Sequence, residues 1–186
     1  KSLDRNFFRE KYRLDKAVRQ LGAAVDRLVE PAQLARQLLQ GARDTIGAER
    51  GIVYLRHGDG EGFTVADHVG WPSAPKVLKP EHPLIAELAI SGTLKRASLG
   101  AGARELHAFG AELGFLLELE GSLIGAAFFG PRLDGDPYTP EDQNFVSTLA
   151  RTTTLALSTA QGHRTILTLK EELQSKVDKI SEQQRR

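Results

Sequence analysis

From Phe109 onward the chain reads as two apolar strands around a tight turn. Leu113, Phe115, Leu117 and Leu119 alternate with Gly114, Leu116, Glu118 and Glu120, the two-residue period of a strand with one apolar face. Glu120-Gly121-Ser122 turns the chain. The run Leu123–Phe129 is then apolar on both faces, with small residues at Gly125, Ala126 and Ala127, as expected of a central strand covered on both sides. After a loop over 131–140 the period becomes helical. Thr139-Pro140-Glu141-Asp142 supplies a cap, a proline suited to the first helical position and two acids for the positive end of the helix dipole. Val146, Leu149, Thr153, Ala156 and Ala160 form one stripe, and Ile166, Leu169, Leu173, Val177 and Ile180 continue an apolar seam with one irregular step near Val177. A helix from Pro140 to Arg186 would measure roughly 70 Å, about twice the width of a domain this size, so it is expected to leave the domain.

The earlier part of the chain carries weaker signals. Over residues 1–30, Leu14, Val18, Leu21, Val25 and Leu28 make a narrow heptad seam on a charged helix, read as a subunit-pairing element, the competing reading being a helix packed along its own domain. Pro31 starts a second helix with Leu34, Ala35, Leu38, Leu39, Ala42 and Ile46 on one side, and Gly47 stops it. Gly51–Leu55 and Phe63–Val69 read as a hairpin around the glycine-rich turn 57–62, with Phe63, Val65, Asp67 and Val69 expected on one face. A short helix over Pro83–Ser91, a strand over Thr93–Ala97 and a loop over Ser98–Arg104 follow.

Composition removes chemistry rather than adding it. The 186 residues contain 25 basic and 24 acidic side chains, a net charge of +1 that gives no nucleic-acid signal. No apolar run approaches the roughly 18 residues of a membrane span. With no cysteine there is no disulfide, thiolate metal site, thiol nucleophile or thioether-linked chromophore, and the cytoplasm is the expected compartment. With no methionine the sequence reads as a processed chain or a fragment.

Candidate motifs mostly fail on detail. His57, His68, His82, His107 and His163 have no metal-ligand spacing. The run from Asp134 to Asp142 lacks the glycine and glutamate that a calcium loop needs at its sixth and twelfth positions, leaving a turn and a helix cap. Gly58, Gly60 and Gly62 precede no helix and no Gly-Lys-Ser/Thr, so they make no phosphate loop. What remains is a candidate small-molecule pocket lined from Tyr54, His68, Trp71, Leu84, Leu88, Arg96, Phe109 and Phe115. The competing reading is that these side chains simply fill the core.

The element order resembles that of the GAF domain. The motifs that carry the resemblance are Leu-Glu-Leu-Glu-Gly-Ser-Leu-Ile-Gly-Ala over 117–126 and Gly130-Pro-Arg-Leu-Asp-Gly-Asp-Pro-Tyr-Thr-Pro-Glu-Asp142. Leu149-Ala150 and Leu155-Ala156-Leu157 fit the helix that follows, and Asp4-Arg-Asn-Phe-Phe-Arg-Glu-Lys-Tyr12 is similar to a lead-in before some sensor modules. The resemblance implies an α+β fold: a central antiparallel sheet of five or six strands, helices on both sides, and long N- and C-terminal helices. It divides the chain into a dimerising helix over 1–30, a GAF domain over 31–162 and a signalling helix over 163–186.

The function so implied is a non-enzymatic regulatory sensor in a multidomain bacterial signalling protein, dimeric, with a kinase, phosphatase or transcription-activator domain in the same full-length chain. The cyclic-nucleotide signature of the family is not matched, and covalent bilin attachment lacks its cysteine. That leaves an unidentified small molecule or no ligand at all; the alternative is a ligand-free scaffold for dimerisation and spacing. A reductase on this fold would need catalytic cysteines.

Overall fold

A computed structural model describes residues 13, 16, 30–56, 62–98 and 100–185, except for the side chains of 161 and 163–167. The expected dimer positions Leu14, Val18, Leu21, Val25 and Leu28 lie outside the described residues, as does His57; of Ile166 and His163 only the backbone is described. Six strands form one antiparallel sheet in the order β3-β2-β1-β6-β5-β4. These are β1 (Gly51–Arg56), β2 (Phe63–Val69), β3 (Val77–Leu78), β4 (Thr93–Lys95), β5 (Leu113–Leu119) and β6 (Ser122–Phe129). Helices α1 (Pro31–Ile46) and α4 (Pro140–Gln184) cover one face, where Leu38, Val53, Leu117, Ala127, Val146 and Leu149 share a core. Helices α2 (Pro83–Ser91) and α3 (Ala101–Phe109) cover the other, over Ile52, Tyr54, Ala126 and Phe128.

Strand β6 is central, as its two-sided apolar pattern predicts, and pairs with both β1 and β5. A Cβ at Gly125 would lie 2.2 Å from the Tyr54 carbonyl oxygen, so the small residue permits that pairing. The β5–β6 turn has Glu120 at φ 51° and Gly121 at φ 77°. Two positive φ values make the two-residue turn whose twist matches the flanking strands.

Three expectations are corrected. The segment read as a loop over Ser98–Arg104 runs into α3, and Phe109 ends that helix instead of starting a strand. Gly102, expected within that loop, is buried where a Cβ would meet Leu94 Cδ2 at 2.8 Å; its smallness lets α3 lie against β4. In β2, the pairing slips by one residue opposite Val53/Tyr54. Phe63 and Val65 therefore point toward α2 and α3, whereas Asp67 turns to α1 and meets Arg36 Nε at 3.1 Å, and Val69 packs on the α1/α4 side. A bulge reverses side-chain faces beyond it, and the alternating pattern alone could not show it. Strand β3 has only two residues, too few to carry a period.

Candidate functional site

Five of the eight residues expected to line a pocket come together. Tyr54, Trp71, Leu84 and Leu88 are buried and Phe109 is partly buried in the core beneath α2 and α3. Phe109 is the centre of the group: its ring centroid lies 5.1 Å from Phe128, 5.3 Å from Trp71 and 6.4 Å from both Tyr54 and His82. Such tilted and edge-on distances are those of direct aromatic packing, so the rings fill the space they line.

The other three are placed elsewhere. Phe115 belongs to the opposite face, edge-on to Phe129 at 6.2 Å, because it pairs across β6 with Ala127, an α1/α4-side residue. Arg96 is exposed and pairs with Glu112 at 3.2 Å. His68 is exposed near the end of β2. Sequence reading missed Ile52, Phe63 and Phe128, whose strand patterns marked them as core without saying which core.

The polar groups around the cluster serve the fold. Tyr54 donates its hydroxyl proton to the Pro75 carbonyl at 2.7 Å, and burial pushes its phenol up to about 12, so it stays a neutral donor. His82 caps α2, its Nδ1 accepting from the Leu84 amide at 3.2 Å. Among the described residues, no three His, Asp or Glu side chains come together in a way that could hold a metal ion.

The entry to α4 is tightly tied. Thr139 and Asp142 exchange the two bonds of a capping box, at 3.2 and 2.9 Å. Asp142 also takes Arg132 at 3.3 Å, and Asp134 takes Arg132 at 2.5 Å. The Asp136 amide and then Arg132 hold the Asp134 carboxyl below its ordinary value, the turn-and-cap role expected in place of a calcium loop. Tyr138 donates to the Gly130 carbonyl at 2.5 Å; burial, with Glu112 nearby, raises its phenol.

Beyond this anchor α4 has two halves. Phe145, Val146, Leu149, Ala150, Thr153, Thr154, Ala156, Leu157 and Ala160 are buried in the domain. From Leu169 onward, Leu169, Leu173, Val177 and Ile180 are 52%, 62%, 54% and 56% exposed. Shallow surface depressions lie along Glu171–Glu182, of about 400 Å³, and by Arg96, Ser98 and Arg104, of about 390 Å³. No helix among the described residues is long and apolar enough to cross a membrane.

No protein-family model matches the sequence, and no curated protein does. Solved structures do. A GAF domain from a phosphoenolpyruvate-protein phosphotransferase of Coxiella burnetii is 16% identical with a TM-score of 0.63, over 83% of this chain and 98% of that one. The GAF domain/HD domain protein of Geobacter sulfurreducens is 18% identical with a TM-score of 0.58, over 74% and 97%. The phycoerythrobilin-bound GAF domain of a cyanobacterial phytochrome is 12% identical with a TM-score of 0.61, over 81% and 97%.

Proposed function

We propose that this chain, which has the GAF fold, is the regulatory module of a signalling protein and that α4 is its output element. The observation that carries the reading is the division of α4. Its first half is core, and along the roughly 36 Å beyond Ala160 the described apolar side chains, Leu169, Leu173, Val177 and Ile180, are more than half exposed on a charged helix. Fully burying one leucine or isoleucine gains about 1.5–3 kcal/mol, so two copies of this helix gain by pairing along that seam. The pair would hand a small rotation or shift in register to a kinase, phosphatase or activator domain in the same full-length chain, as in two-component signalling in the cytoplasm. The module itself does no chemistry.

The absence of cysteine makes the test clean. Sedimentation should give a dimer, and a single Leu173→Cys substitution should form a disulfide between two parallel copies. A monomer at several hundred micromolar, with no cross-link, would sink the proposal.

A second reading concerns input. A small molecule between the sheet and α2/α3 would have to displace Phe109 from Trp71, Phe128 and Tyr54. That packing favours a module that works by dimerisation and spacing with no ligand of its own. Thermal melts with cyclic nucleotides, haem and free tetrapyrroles decide between them: an upward shift with any one supports sensing, and flat melts support the scaffold.

A further inference from the structure

Arg50 lies just before β1, between the aromatic cluster on one face of the sheet and the entry to α4 on the other. Its Nη2 donates to the Gly110 carbonyl at 2.6 Å, next to Phe109 at the end of α3. Its Cζ sits 4.8 Å from the centroid of the Trp71 ring, a cation–π contact. Its own carbonyl accepts from the Gly130 amide at 2.9 Å, and the Gly130 carbonyl accepts from Tyr138, the residue before the Thr139 cap.

Two glycines, Gly130 and Gly110, make room for this side chain, and a third, Gly70, lies in ordinary contact with it. A Cβ at Gly130 would lie 2.5 Å from Arg50 Cγ, one at Gly110 would lie 3.1 Å from Nη2, and one at Gly70 would lie 3.4 Å from Cβ. The arginine therefore fills a slot whose walls come from the Trp71 loop, the end of α3 and the end of β6. Its buried Nε has no hydrogen-bond partner. A side chain enclosed on several sides yet incompletely satisfied is held less firmly than its contacts suggest, which suits an element with two positions.

We infer that Arg50 is a positioning residue that couples the aromatic cluster under α3 to the first turn of α4, through Gly110 and Trp71 on one side and Gly130 and Tyr138 on the other. This rests on the reading of α4 as the output element. A displacement of Phe109 moves the Gly110 carbonyl, which releases the guanidinium and frees the Gly130–Tyr138 contact that fixes the cap.

Hydrogen exchange on the whole chain tests the link. Arg50→Lys keeps the charge and a long stem but loses the planar fork that bonds Gly110 while stacking on Trp71. Exchange should rise about tenfold both at 109–112 and, on the other face, at 142–146, with β5 and β6 unchanged. A rise confined to 109–112, or a uniform rise through the molecule, would overturn the link. Trp71 is the sole tryptophan, so its emission reports one end alone. Tyr138→Phe should alter that emission in the parent and leave it unaltered in Arg50→Lys; no effect in the parent counts against the coupling. Sedimentation of the same samples keeps the two ideas apart. A monomer with the spreading exchange pattern removes the dimer and keeps the link, and a dimer with confined exchange removes the link alone.

Discussion

Tyr54 should make this domain sensitive to alkali in a way that one substitution removes. The residue has no exposed surface, and its hydroxyl holds the Pro75 carbonyl at 2.7 Å, fastening the loop after Trp71 over the sheet. Below pH 10 the folded and unfolded chains both keep this phenol protonated. Between pH 10 and about 12 the unfolded chain loses the proton while the folded chain, whose phenol burial raises to about 12, keeps it. The unfolded state then binds fewer protons, and stability falls as pH rises through that window. A rise from 10 to about 12 corresponds to about 2.7 kcal/mol as an upper figure.

Tyr54→Phe has no such dependence. Near pH 8 it should cost about 1–3 kcal/mol, because the Pro75 carbonyl loses its donor in a buried place. Urea titrations of both proteins, followed by Trp71 emission at fixed concentration, give the difference at each pH. Tyr138, whose phenol is also raised, is common to both and cancels. The expected difference is constant to pH 10 and then closes or reverses toward pH 12. A parallel absorbance titration at the phenolate band should lose its late component in the variant. A difference that stays constant from pH 8 to pH 12 would refute the burial argument.

Two further outcomes follow from the same geometry. Gly125→Ala sets a methyl group 2.2 Å from a backbone oxygen of the neighbouring central strand, where no side chain can swing aside; a loss of about 3 kcal/mol or more in urea titration is expected, and a change under 1 kcal/mol would contradict the close approach. Leu155→Asp, on the outward side of α4 within the domain, should weaken the dimer at least tenfold by sedimentation without lowering the stability of the fold, and an unaltered dimer would confine the interface to the helix beyond the domain.

The legible parts of this fold were those whose signal is local. Pro31 and Gly47 bound α1, and Glu120-Gly121 marks the hairpin. Thr139-Pro140 with Asp142 starts α4, each through its own backbone requirement. The illegible parts depend on distant partners. Phe115 and Phe128 both read as buried strand residues, and only the sheet register assigns them to opposite faces. Gly102 reads as part of a loop until Leu94 is known to lie beneath it. Arg50 gives no sign at all, because its slot is made by glycines at 110 and 130 that meet only in three dimensions.

The apolar pattern of α4 is the one place where sequence and structure together say more than either does. Its buried stripe through Val146, Leu149, Thr153, Ala156 and Ala160 is set by the sheet and α1. The exposed seam is not the continuation of that stripe. Stepping back from Leu173 by alternate fours and threes reaches Leu169, Ile166, Gly162, Thr159 and Leu155, and Leu155 is 58% exposed. This second line, apolar at Leu155 and again from Ile166 with Thr159 and Gly162 between, thus starts while the helix is still packed on its own domain, where Leu155 is exposed beside the buried stripe. Gly162, where an added Cβ would meet nothing within 4 Å, falls on this line just beyond the last buried residue among those described on the helix, Ala160. A helix built only to space two domains has no use for an apolar line that overlaps its buried stripe. The proposed output role needs contact with the domain and with a second copy in the same turns, and it is supported by residues 155–160, where Ala156, Leu157 and Ala160 are buried while Leu155 is exposed.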